Sequence, residues 1–129
     1  MGETELWEAY HRTTYCVRDD AGAPIYFRLI DPESRALIPK KNFAIITAWN
    51  PMNQPCSGSE NDIRHQKLEA LLAARPWKFY ETSGATEDHC EKGFTIEGVT
   101  EEEALEIGRA FNQHAILYSD SGNTRILKC

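Results

Sequence analysis

Phe43, Ala44, Ile45, Ile46, Ala48 and Trp49 make residues 43–49 apolar on both alternating faces, broken only by Thr47. A strand with one wet face alternates apolar and polar side chains. This run therefore predicts a strand inside a sheet that is covered on both sides. Such a sheet needs helices or further strands to cover it, and the flanking sequence carries both patterns.

Beyond a loop at 50–58 that holds Pro51, Pro55 and Gly58, Ser59-x-x-Asp62 resembles a capping box and predicts a helix start. Pro76 sets the end of that helix near Arg75. Thr100-x-x-Glu103 is a full capping box, and Ala104, Ile107, Gly108 and Phe111 then follow at i, i+3, i+4 and i+7, one buried stripe. Strands are expected at 77–82 and 94–99, joined by the polar stretch 83–93, and at 115–119 and 124–127 around Ser121, Gly122 and Asn123. Towards the N-terminus, Leu6, Trp7 and Tyr10 suggest a short helix. Residues 13–18 and 25–30 alternate as a hairpin across 19–22, and 31–42, with Pro32 and Pro39, reads as a loop.

From 43 to 119 the order is β-α-β-β-α-β. The expected fold is therefore α+β: a ferredoxin-like split βαβ core extended by an N-terminal hairpin and a C-terminal strand, in one domain over 1–129. Ile45 or Ile46, Leu68, Leu71, Ile96, Ile107 and Phe111 are the expected core, with both helices on one face. Right-handed crossovers point the first two core strands one way and the last two the other. The 49–59 loop, the first helix start, the 83–93 stretch and the second helix end at Asn112 and Gln113 then share one rim.

That rim is where chemistry is expected. On a helical wheel Asn61 and Arg64 fall on the same face as Leu68, Leu71 and Leu72. An inward guanidinium is costly unless paired. Either Arg64 ties down the loop through Glu60, Glu91 or loop carbonyls, or it joins the helix-start N–H groups in an anion site. The candidate ligand-binding set is Trp49, Asn50, Glu60, Asn61, Arg64, Glu91 and Gln113. Glu60 and Glu91 could pair for acid–base work, or one could pair with Arg64 while the other is solvated.

Other chemistries find less support. Adjacent residues on a strand face opposite ways, so His89 and Cys90 need a special loop to act together, and Cys56 meets His65 only if its loop folds back. His11, His65, His89 and His114 stand singly, without zinc-ligand spacing, so no metal and no cofactor are expected. Cys16, Cys56, Cys90 and Cys129 are far apart in sequence and expected as free thiols. With 20 acidic against 14 basic residues and a net charge of −6, the chain is a poor binder of phosphate backbones. No apolar run reaches the roughly 20 residues that span a bilayer, and residues 1–7 carry no signal peptide, so a cytoplasmic location is expected.

Thr47-Ala48-Trp49-Asn50-Pro51, Glu60-Asn61-x-x-Arg64, Glu91-x-Gly93-Phe94-x-Ile96-x-Gly98 and Gly108-Arg109-x-Phe111-x-Gln113 together resemble the bacterial family known as domain of unknown function 3293. The resemblance covers most of the chain. It departs at Pro76-Trp77, where the family has Gly and an aromatic residue, at His89-Cys90, where it has Trp-Pro, and at Gly93, where serine is usual. It implies a location for the site and no activity. Three functions stay open: a non-enzymatic binding or regulatory module for a small anionic ligand or a protein partner, a small enzyme using Glu60 or Glu91 with Arg64 and Asn50, and an acidic inhibitor of another protein.

Overall fold

A computed structural model describes residues 2–39, 42–87 and 89–129. Met1, Lys40, Lys41 and Asp88 lie outside it, so the loops expected around 40–41 and 88 are not described at those positions. The order is α1 (Glu3–Arg12), β1 (Thr14–Arg18), β2 (Pro24–Phe27), α2 (Pro32–Arg35), β3 (Phe43–Ile46), a 3-10 turn (Pro51–Asn53), α3 (Gly58–Ala73), β4 (Lys78–Ala85), β5 (Cys90–Glu97), α4 (Glu101–Ala110), β6 (Ala115–Asp120) and β7 (Asn123–Lys128). The seven strands form one sheet in the order β2-β1-β4-β5-β3-β6-β7, with every pairing antiparallel. The fold class is α+β.

β3 is buried along its whole length, as its two apolar faces require. Ala44 and Ile46 pack with Leu68 and Leu72 of α3 and Ala104 and Ile107 of α4, so both helices cover one face of the sheet. Phe43 and Ile45 face the other way, into a second core with Tyr15, Val17 and Phe27 from one end of the sheet and Leu117 and Ile126 from the other. Side chains from opposite ends of a seven-strand order can meet only if the sheet curls, so this second face is concave. The N-terminal hairpin joins at the edge of β4, where Thr14 and Tyr15 pair with Ala85 and Gly84. Leu71 and Phe111, expected as core, are half-buried at its margin.

The structure corrects several boundaries. The 83–93 stretch is mostly strand: β4 and β5 pair from Lys78 with Glu97 to Ala85 with Cys90, and the chain reverses where Thr86 N donates to His89 O. Its polar side chains hid the strand because this end of the hairpin is mostly half-buried or exposed, and neither face there has to be apolar. β3 ends at Ile46, three residues short of Trp49. β2 ends at Phe27 because Arg28 N turns to Ser34 Oγ and Ile30 N to His11 O. Inside the 31–42 stretch, Asp31 caps the one-turn α2 by accepting from Glu33 N and Ser34 N, with Pro32 set at the first turn. α3 is capped by Ser57, whose Oγ accepts from Glu60 N at 3.1 Å, and not by Ser59. The capping box of α4 forms as expected, with Thr100 and Glu103 bonding each other's backbone.

Candidate functional site

The rim is built where β3 releases the chain. Thr47 Oγ1 donates to Lys92 O at 2.6 Å and accepts from Trp49 N at 3.1 Å, which turns the backbone out of the sheet. Asn50 then adopts a left-handed conformation (φ 46°), tolerated best by glycine and asparagine, and Met52 and Asn53 follow with φ of 52° and 61°. Such backbone persists only when its surroundings hold it. Asn61, buried at the start of α3, supplies that hold: its Oδ1 accepts from Asn50 N, and its Nδ2 donates to Asn50 Oδ1, both at 3.0 Å. Asn50 Oδ1 also accepts from Cys56 N at 3.0 Å, and Met52 N donates to Asn112 O at 2.7 Å.

Arg64 completes the clamp. Its Nε donates to Ala48 O at 2.6 Å, and its Nη2 donates to Phe111 O. Gln113 reaches the same junction from the other side, with Nε2 donating to Trp49 O at 3.1 Å and to Phe111 O at 3.2 Å. The inward face of α3 thus binds loop carbonyls and ties the β3 exit to the α4 exit. Trp49 contributes its carbonyl, while its indole N–H is buried without a partner among the described residues.

Glu91 belongs to a second branch. Its Oε2 accepts from Asn50 Nδ2 at 3.5 Å and meets His89 Nε2 at 2.6 Å, two residues away on the same face of the hairpin. Glu60 stands apart, exposed in the first turn of α3 and beside the Cys56 thiol. Desolvation and then the Glu60 carboxylate push the Cys56 pKa up, the reverse of what an activated thiol needs. His65 turns to Glu81, with Nε2 3.2 Å from Oε2, and stacks on Phe94. Cys16, Cys56, Cys90 and Cys129 are all free. Among the described residues, no group of three or more His, Cys, Asp or Glu side chains could hold a metal. No helix among them is long and apolar enough to cross a membrane.

The clamp borders a groove of about 1500 Å³ between α1 and the concave face of the sheet. Asn50, Glu91 and Gln113 line it; Trp49, Glu60, Asn61 and Arg64 do not. Ile45, Leu117 and Ile126 form apolar wall, and Tyr10, Asn53 and His89 join the polar mouth. The exposed Lys128–Glu3 ion pair links α1 to the end of β7 beside the groove. Asn53 Nδ2 donates to Tyr10 Oη at 3.4 Å. Burial pushes the Tyr10 phenol above its ordinary pKa against a lowering bond from Asn53, and the Glu91 charge adds to the rise, so the hydroxyl keeps its proton. Sequence reasoning missed Tyr10, Asn53 and His89 as a group. The His89-x-Glu91 spacing was the available signal, since i and i+2 share a face once 83–93 is read as strand.

Comparison with curated proteins and with solved structures finds no match. A family model described as protein of unknown function (DUF3293) matches residues 46–116, from the end of β3 to the start of β6. That span is more than half of the chain and contains the whole clamp, and the chain belongs to this family.

Proposed function

We propose that the protein is a ligand-binding module whose ligand lies in the groove between α1 and the concave sheet face. The observation that carries this reading is the groove itself. At about 1500 Å³ it exceeds the ordinary small-molecule pocket of roughly 300–1,000 Å³, and it joins an apolar wall to a few convergent polar groups. A ligand with an apolar body and a polar head fits that division. Asn50, Glu91, Gln113, Tyr10, Asn53 and His89 meet the head, and Leu6, Ala9 and Met52, over a floor at Ile45, meet the body.

Arg64 serves as the clamp that shapes the rim, because its bonds run to Ala48 O and Phe111 O. An anionic head would be met by Arg12 and Arg28 on the groove wall. The β4-β5-β3-β6 order at the centre of the sheet supports a ferredoxin-like split βαβ reading of 43–120, a fold that by itself assigns no activity. Four free thiols suit the reducing conditions of the cytoplasm.

Thermal unfolding with straight-chain carboxylates and alcohols of four to ten carbons tests the reading. A ligand present at 100 times its Kd adds about 2.7 kcal/mol of stability. The Ala9→Trp variant, which fills the groove from α1, should lose that gain. A wild-type midpoint unmoved by every compound in the series would refute the groove as a ligand site.

A further inference from the structure

The half-exposed His89 on the β4–β5 hairpin is the end of a chain of hydrogen bonds that begins in the core. Buried Asn61 holds Asn50 by two bonds, Asn50 Nδ2 reaches Glu91 Oε2, and Glu91 Oε2 meets His89 Nε2 at 2.6 Å. A solvated surface histidine needs no such support. Layered positioning of this kind is what holds a reacting group in place. An ionised carboxylate only accepts, so in the neutral imidazole Nε2 carries the proton and Nδ1 keeps its lone pair as a proton acceptor.

The second group of the mouth is Tyr10. Asn53 Nδ2 donates to its oxygen, which leaves the phenolic proton free to be given to a ligand oxygen in the groove. Tyr10 and His89 both line the groove, and Asn53, which bonds the phenol, donates its backbone N to Asn50 O, so the two groups stand on one hydrogen-bonded rim of the mouth. Neither nearby thiol is placed as the nucleophile: Cys56 is disfavoured by the adjacent Glu60, and Cys90 faces away from Glu91 on its strand and does not line the groove. A base and a hydroxyl donor without an activated nucleophile fit attack by water.

We propose that the groove mouth hydrolyses acyl esters, with His89 as general base and Tyr10 as donor to the oxyanion. This rests on the groove being a ligand site, and the apolar wall is where the acyl chain lies. Nδ1 of His89 takes a proton from water as the water oxygen bonds to the acyl carbon. The carbonyl electron pair moves onto oxygen, which accepts the Tyr10 hydrogen bond. Collapse of this intermediate breaks the ester C–O bond, and the imidazolium returns its proton to the departing alkoxide. The products are a carboxylic acid and an alcohol. Glu91 and Asn50 are positioning residues.

The test uses 4-nitrophenyl esters from acetate to decanoate, with wild type, His89→Gln, Glu91→Gln and Tyr10→Phe, and decanoate as the binding probe. His89 is exposed, so His89→Gln should fold. Turnover should rise with chain length, and His89→Gln should lower kcat between about 10²- and 10⁴-fold with KM little changed. Tyr10→Phe should lower it about 10²-fold or more. Nitrogen NMR should show the Nε2–H tautomer of His89 in wild type and a mixture in Glu91→Gln, a change that a merely structural Glu91 would not produce. Decanoate stabilisation without any turnover that depends on His89 would overturn the hydrolytic site and leave the groove reading standing. Neither stabilisation nor turnover would sink both.

Discussion

Replacing Arg64 by alanine removes the donors that reach Ala48 O and Phe111 O. The two losses are unequal. Ala48 is fully buried and Arg64 Nε is the donor to its carbonyl, so that acceptor is left to bear the penalty of an unsatisfied buried group, about 1–3 kcal/mol. Phe111 O keeps its bond from Gln113 Nε2, and water can reach the half-buried position that the guanidinium vacates, so its loss is smaller. Adding the lost packing of the side-chain stem gives a total of about 2–4 kcal/mol. Arg64→Lys should recover part of this, because an ammonium can reach one carbonyl but not fork to both. Equilibrium urea unfolding followed by circular dichroism measures the loss as a fall in midpoint at constant slope. Since Arg64 and Gln113 share Phe111 O, Arg64→Ala and Gln113→Ala should be non-additive by about 0.5–3 kcal/mol. A loss below about 0.5 kcal/mol for Arg64→Ala, or additivity within experimental error, would refute the clamp.

Four further outcomes follow from local geometry and electrostatics. A Cβ on Gly93 would stand 2.6 Å from Ile46 O, a backbone atom that cannot swing aside, so Gly93→Ala should cost about 1–3 kcal/mol in the urea experiment. Gly58→Ala, with no heavy atom within 4 Å of its added Cβ, should not destabilise the protein. Thr100→Ala removes the α4 capping box and should cost about 1 kcal/mol, measured as a lower thermal midpoint. The Cys56 thiol has a raised pKa, so less of it is thiolate at neutral pH than in an ordinary thiol. Its alkylation by iodoacetamide, followed by peptide mass spectrometry, should therefore rise at more alkaline pH than that of a free cysteine peptide, and Glu60→Gln should shift the curve back.

Helix starts with side-chain caps and the doubly apolar strand were legible because their signals are local. Thr100 and Glu103 bond each other three residues apart, and residues 43–46 are apolar on both faces whatever packs against them. The inward placement of Arg64 and Asn61 followed from helical periodicity. The β4–β5 hairpin was not legible as strand along its far half, because its residues satisfy their backbone by pairing across the turn while their side chains meet solvent and the groove mouth. The start of α3 is ambiguous in the sequence because Ser57 and Ser59 both stand at capping spacing from an acid, and only the surrounding backbone selects Ser57.

The sequence by itself determined the α+β class, the interior strand, the order of elements from 43 to 119 and the gathering of Asn50, Asn61, Arg64, Glu91 and Gln113 near one end of the sheet. All of these rest on short-range periodicity and on the handedness of chain connections. The tertiary structure alone decided what those residues bind. It sends Arg64 to two carbonyls and joins Glu91 to His89, and it curls the sheet so that Tyr10 of the first helix meets Asn53 at the mouth of a groove. Partners 41 to 47 residues apart in the chain meet through sheet curvature and loop geometry, which no local pattern of residues encodes.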